Sequence, residues 1–288
     1  MLRLVIKSWV FVILLSVVSV LQAQETFTFT AIPDQDETRL QERFGKVAAY
    51  LEKKLGVPVK YVPVKSYAAA VTAFRNNQVQ LAWFGGLSGV RARLLVPGSK
   101  AIVQGYEDQF FKTYLIANTK TGLKPSEQFP TDIAGTTFTF GSKGSTSGRL
   151  IPEFYIREGL HKSPHKAFKR VGFSGDHSRT ISLVQSGTYE TGAVNYKVWE
   201  RELKEGKIDT SKVEVIWSTP EYPDYQWSIR GDVDKKFGKG FEEKVQSALL
   251  NMNSPELLSA FPRKSFVTAE NDFYKPIEDT ARKIGLLD

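Results

Sequence analysis

The sequence contains no cysteine, only two methionines and only three histidines in 288 residues. Without cysteine it can hold neither a disulfide framework nor a thiolate metal site, so its fold must rest on a hydrophobic core. The histidines do not build a metal centre. His161 and His165 have helical i, i+4 spacing, but Pro164 lies between them and no third ligand is near, so they read as exposed loop residues. No metal and no cofactor is expected. The formal charge is +8, yet no five or six basic residues are consecutive, which gives no basis for a nucleic-acid partner. Three phosphate and nucleophile signatures are also missing. There is no G-x-x-x-x-G-K-[ST], no G-x-G-x-x-G, and no G-x-S-x-G around Ser145 or Ser147.

The longest apolar run is at the N-terminus. "MLRLVIKSWVFVILLSVVSVLQA" carries Arg3 and Lys7, then an apolar stretch from Ser8 to about Leu21, then a small-residue exit at Leu21-Gln22-Ala23. This is the pattern of a signal peptide over 1–23, cleaved after Ala23. The alternative is a membrane anchor. Against it, the run is short for a span and no basic stop-transfer cluster follows. Loss of Arg3 and Lys7 lowers the formal charge from +8 to +6. That balance suits an anionic ligand, and it suits ordinary surface lysines equally well.

The rest alternates between two periodicities. "TFTFTAIP" at 26–33 predicts a strand. The next segment has Leu40, Phe44, Val47, Ala48, Leu51 and Leu55 at helical spacing, with Gly56 at the stop position. "VPVKYVPV" predicts a strand, "SYAAAVTAFRNNQ" a helix capped by Ser66, and "VQLAWFGG" a third strand. Such a β-α-β-α-β run implies a parallel sheet covered by helices. The pattern then restarts. Strands are expected at "TYLIANT", "TTFTFGS", "FKRVGFSG", "TGAVN" and "VEVIWST", and helices at "SGRLIPEFYIREGL" and "SRTISLVQSG". "PEYPDYQWSIRGD" reads as a return segment, and "KGFEEKVQSALLNMN" onward as mainly helical. The fold class is therefore α/β with two lobes, each a mainly parallel sheet flanked by helices. Lobe 1 comprises 24–112 plus 225–288. Lobe 2, residues 113–224, is inserted, with hinge crossings near 112–115 and 220–226.

"GSKGSTSG" at 141–148 packs three glycines and four small hydroxyls between a strand and a helix. N–H groups at a helix start are unsatisfied and carry positive partial charge, hydroxyls add donors, and glycines let the backbone come close. The natural guest is a phosphate-like anion. A plain Ser/Thr helix cap is the simpler reading for any one of these residues. A catalytic use of the loop would pair Ser145 or Ser147 with His177 and Asp176. An Asp and a His adjacent in sequence point different ways on most backbones.

"KSYAAAVTAFRNNQVQLAWFGGLSG" (65–89) and "FGSKGSTSGRLIPEF" (140–154) resemble the periplasmic phosphonate/phosphite-binding proteins of ABC importers. In that family a Tyr opens the second helix, an aromatic-Gly step follows, and a Ser-Thr-Ser loop comes later at another helix start. Here these are Tyr67, Phe84-Gly85 and Ser145-Thr146-Ser147. The resemblance implies a venus-flytrap receptor in the periplasm, a monomer with no enzymatic activity. It would hold a tetrahedral oxyanion between its lobes and deliver it to an inner-membrane ABC permease. It further implies ligand contacts from Ser145, Thr146, Ser147, Tyr67, His177, Asp224 and Tyr225, with Phe84 and Gly85 alongside. An Asp beside an anion makes sense if it accepts a hydrogen bond from a protonated oxygen.

Two departures bear on the guest. Where aminoalkylphosphonate binders place a carboxylate for the amine, this chain has Tyr196 or Lys197, and Phe84 stands where a tyrosine is common. Both imply a small guest without an amino tail. "AIPDQDETRLQERFGKV" and "LAWFGGLSGVRAR" are similar to a branch to which selenate binding is ascribed. Two other functions use the same residues: a secreted Ser/His hydrolase, and an exported ligand-sensing domain.

Overall fold

The computed structural model describes residues 25–261 and 263–287, so the signal peptide expected over 1–23 lies outside the described residues. The chain begins with β1 (Phe27–Ala31), α1 (Glu37–Leu55), β2 (Val59–Tyr61), α2 (Tyr67–Arg75), β3 (Leu81–Phe84), α3 (Gly86–Leu95) and β4 (Lys100–Gly105). A second unit follows: β5 (Thr113–Asn118), β6 (Thr137–Phe140), α4 (Ile151–Leu160), α5 (Pro164–Ala167), β7 (Arg170–Phe173), α6 (His177–Gln185), β8 (Thr191–Asn195), α7 (Tyr196–Lys204) and β9 (Val213–Ser218). The chain returns through β10 (Gln226–Ile229), α8 (Val233–Phe237), α9 (Phe241–Leu250), α10 (Pro255–Ala260), β11 (Phe266–Thr268) and α11 (Lys275–Lys283).

Local chemistry sets these elements. In α1 the Asp36 carboxylate accepts from the Arg39 N–H, and Gly56 ends the helix at φ 71°, a left-handed turn that favours glycine. Leu40, Phe44, Val47, Leu51 and Leu55 form its buried stripe. Phe44 is fully enclosed and meets Phe29, Tyr61, Trp227 and Phe261; truncating such a ring to alanine costs about 3–5 kcal/mol.

The strands form two sheets, in the orders β11-β4-β10-β3-β1-β2 and β7-β6-β8-β5-β9. Both are mixed, which corrects the expectation of mainly parallel sheets. β1 pairs parallel with β2 and β3, but β10 runs antiparallel between β3 and β4, and β11 runs antiparallel to β4. In the second sheet β6 pairs parallel with β7 and β8, whereas β5 is antiparallel to β8 and β9. The cause is topological. β10 enters its sheet from the other lobe, so it arrives in the reverse direction. The return segment is thus a central strand, and Trp227 on it is fully buried.

The two segments that connect the lobes pair with each other. Phe111 and Tyr222 exchange backbone hydrogen bonds of 2.9 and 3.0 Å, and the Thr113 N–H donates to Thr219 Oγ1 at 3.0 Å. Among the described residues no helix is long and apolar enough to cross a membrane.

Candidate functional site

The 141–148 loop leaves β6 and enters a wide, π-helical turn over Thr146–Leu150 that runs on into α4. Pro152 has no N–H to offer the turn before it, and the Ser147 and Gly148 carbonyls accept instead from the Thr113 hydroxyl and the Gly141 N–H. Ser145 caps the turn, its Oγ accepting from the Gly148 N–H at 2.9 Å. The loop closes on itself through Gly141 N–H to the Gly148 carbonyl, 2.8 Å. Gly148 is required by close approach: a Cβ there would stand 3.0 Å from His177 Cε1 and 3.1 Å from Gly141 Cα. Ser145, Thr146 and Ser147 are all buried.

Three further helix starts face this loop. Tyr67 opens α2 behind its Ser66 cap and is buried against Gly144. Its hydroxyl lies beside Ser145 yet has no partner at hydrogen-bonding geometry, and burial pushes its pKa up. α3 begins at Gly86, whose N–H donates to Asp224 Oδ1 at 2.7 Å, while the Leu87 N–H donates to Thr146 Oγ1 at 3.0 Å. Gly85 leaves room for this approach, since a Cβ there would lie 3.1 Å from Asp224 Oδ1 and 3.3 Å from Thr146 Oγ1. α6 begins at His177, capped by Asp176.

The titratable groups are tuned by burial. Asp224 is 1% exposed, and desolvation pushes its carboxyl up to about 7 against the lowering effect of the Gly86 N–H and Thr146 hydroxyl. His177 is fully buried, and desolvation lowers its pKa to about 4. The ring is therefore neutral at neutral pH. Its Nδ1 accepts the Asn195 N–H at 3.3 Å, so Nε2 carries the proton, 3.5 Å from Ser147 Oγ.

Phe84 turns its ring into the lobe core against Phe74, so its backbone, not its side chain, adjoins the site. Tyr225 stacks on Trp83 with centroids 5.5 Å apart, and its hydroxyl accepts from Asn195 Nδ2 at 2.9 Å. Tyr196 packs on Phe111, and Lys197 Nζ lies 5.0 Å from the centre of the Tyr196 ring. His161 ends α4 in a left-handed conformation and His165 lies in α5; both are exposed.

Several residues that hold the site carry no sequence signal. Asn195 does three things at once: its N–H fixes the His177 tautomer, its amide holds Tyr225, and its Oδ1 caps α7. The Thr113 hydroxyl donates to the Ser147 carbonyl at 3.0 Å and so accepts from the Tyr222 hydroxyl at 2.6 Å. The Asp34 carbonyl accepts the His177 N–H at 3.1 Å, one contact between the lobes. Farther out, Arg39 on α1 holds Glu205, just past α7, with two hydrogen bonds of 2.9 and 2.8 Å.

The arrangement suits binding better than nucleophilic catalysis. Asp176 spends its carboxylate on the Arg179 N–H at 2.8 Å, and the His177 nitrogen that a triad would orient by a carboxylate instead accepts a backbone N–H. Among the described residues no three His, Cys, Asp or Glu side chains are grouped as a metal site.

The family model for the periplasmic phosphonate substrate-binding proteins of ABC transporters matches residues 29–274. A probable ABC transporter phosphite binding protein of Prochlorococcus marinus, PhnD1, is 42% identical over 262 residues, covering 88% of each chain. The PhnD1 structure in complex with methylphosphonate superposes with a TM-score of 0.87 at 41% identity, covering 91% of this chain and 99% of that one. A binding protein component of an ABC phosphonate transporter from Pseudomonas aeruginosa, 22% identical, shares the fold with a TM-score of 0.78, over 89% of this chain and 85% of its own.

Proposed function

This chain belongs to the family of periplasmic substrate-binding proteins of phosphonate ABC transporters, and from that premise we propose that it captures a compact tetrahedral oxyanion, phosphite or methylphosphonate, between its lobes. The single observation that carries this reading is the convergence of neutral donors. The Tyr67 hydroxyl without a partner, the Ser145 and Ser147 hydroxyls and the Nε2–H of a neutral His177 lie around the Thr146–Leu87 contact that joins the lobes. Donors of this kind offset desolvation of an anion, each charge-assisted bond contributing about 1.5–3 kcal/mol.

Asp224, poised near neutral pH, matches a guest that carries a proton or a P–H face. Tyr196 and Lys197 stand where aminoalkylphosphonate binders place a carboxylate for the amine, which favours a guest without an amino tail. In this reading residues 24–112 with 225–288 form one moving body and 113–224 the other, turning on the paired segments near 112–115 and 220–226. The protein is exported by its 1–23 segment and works as a monomer. A membrane permease takes up the loaded form.

The test is a thermal-shift panel on ligand-stripped mature protein: phosphite, methylphosphonate, 2-aminoethylphosphonate, phosphate, sulfate, selenate and selenite. Ligand at 1,000 times its Kd adds about 4 kcal/mol, a large shift. Phosphite or methylphosphonate should give it, and the amino compound should not. A shift confined to selenate or sulfate overturns the choice of cargo, and a flat panel overturns the site.

A further inference from the structure

Asp34 lies in the loop between β1 and α1, and Arg201 lies on α7 of the other lobe. Both line a small, partly open cavity of about 10 Å3, walled also by Gln35 and Arg43 from the first lobe and by Asn195 and Lys197 from the second. That is the volume that holds one water molecule. Asp34 is 3% exposed, and its Oδ1 meets no donor of the protein. Arg201 Nη2 is buried and meets no acceptor. Its Nε makes only a loose ion pair, 3.5 Å, with Glu205.

A buried acceptor without a donor and a buried donor without an acceptor are both unfavourable. One molecule removes both faults if it donates to the carboxylate and accepts from the guanidinium. A chloride ion satisfies Arg201 and leaves Asp34 unserved. A cation satisfies Asp34 and is repelled by Arg43 and Arg201. Water satisfies both.

We propose that lobe closure traps one water molecule in this cavity, bridging Asp34 Oδ1 to Arg201 Nη2, and that the bridged pair is a lock on the closed state. The proposal rests on the reading that the lobes close over a bound anion. The lock touches the site without touching the guest. The Asp34 carbonyl accepts the first N–H of α6, so whatever holds Asp34 also holds His177 in place. Asp34 and Arg201 are positioning residues.

The experiment is a double-mutant cycle on the mature protein. Affinity for phosphite and for methylphosphonate is measured by calorimetry in the wild type, in Asp34→Ala, in Arg201→Met and in the double variant. Each single change weakens binding about three- to tenfold, and the double change is no worse than the more severe single one, because either cut removes the same bridge. The thermal midpoint of the ligand-free variants stays at the wild-type value, since the bridge forms only on closure. A merely structural residue would lower it. A high-resolution crystal structure of the ligand-bound protein shows the water within hydrogen-bond reach of both atoms. Independent, multiplicative effects in the cycle overturn the lock, as does an anomalous bromide peak in the cavity after soaking. A wild type that binds neither anion overturns the functional reading, and the lock with it.

Discussion

The hydroxyl of Thr146, on the second lobe, accepts a 3.0 Å hydrogen bond from the N–H of Leu87, at the start of α3 on the first. One side chain of the serine-threonine loop thus occupies the positive end of a helix that belongs to the opposite lobe. The same helix start holds Asp224 through the Gly86 N–H. Loop, helix and carboxylate are therefore joined by hydrogen bonds across the two lobes.

Removing these hydroxyls should cost affinity, and stability too, since Ser145 caps the Gly148 N–H and Thr146 holds the Leu87 N–H. Ser145→Ala combined with Thr146→Ala is expected to weaken anion binding at least about tenfold by calorimetry. Unchanged affinity would remove the loop from the site.

His177 should act as a neutral donor throughout the physiological range, because burial lowers its pKa to about 4. His177→Gln keeps an N–H donor of similar reach. The expected result is a weaker protein whose affinity varies between pH 5.5 and 7.5 in parallel with the wild type. An inflection near 6.5 found only in the wild type would mean that the imidazole titrates in the site.

Asp224 gives a pH signature of defined sign. Its folded pKa of about 7 lies above the ordinary carboxylate value, so between pH 4 and 7 the folded state holds more protons than the unfolded one. Folding stability from this group is full below about pH 4 and is lost as pH rises through 7. His177 works the other way from about 4 to 6.5, gaining stability as pH rises. Urea unfolding of wild type and Asp224→Asn across this range isolates the carboxyl. Relative to the variant, the wild type should lose up to about 1.4 kcal/mol per pH unit. A constant difference would show that Asp224 keeps an ordinary pKa.

Gly148→Ala tests the tightness of the loop. The added Cβ meets backbone at Gly141 and the ring of His177, neither free to move far. A destabilisation of about 1–3 kcal/mol is expected in urea, with loss of anion affinity. A stable variant of full affinity would mean that the loop has slack.

Much of this was written locally. Alternating residues gave β1, and the 3–4 spacing from Leu40 to Leu55 gave α1. Ser66 and Ser145 are small hydroxyls in sequence positions where helices begin, and both are caps in the structure. α3 carries Gly86 and Gly89 and has no such signal. Its Gly89 is there because a Cβ would collide with Gln226, a partner far along the chain. Asn195, Asp34 and Tyr222 are ordinary polar and aromatic residues until folding sets them beside His177, Tyr225 and Thr113.

The sequence by itself determined the β1-α1-β2-α2-β3 run, most strands of the second unit, the caps at Ser66 and Ser145, and a family pattern in Tyr67, Phe84-Gly85 and Ser145–Ser147, because periodicity, caps and motifs act over a few residues. The tertiary structure alone decided that β10 runs antiparallel through the first sheet, that His177 is neutral with its proton on Nε2, and that Asp224 titrates near neutrality. Those properties depend on burial and on partners many residues away, and such distances exist only once the two lobes have met.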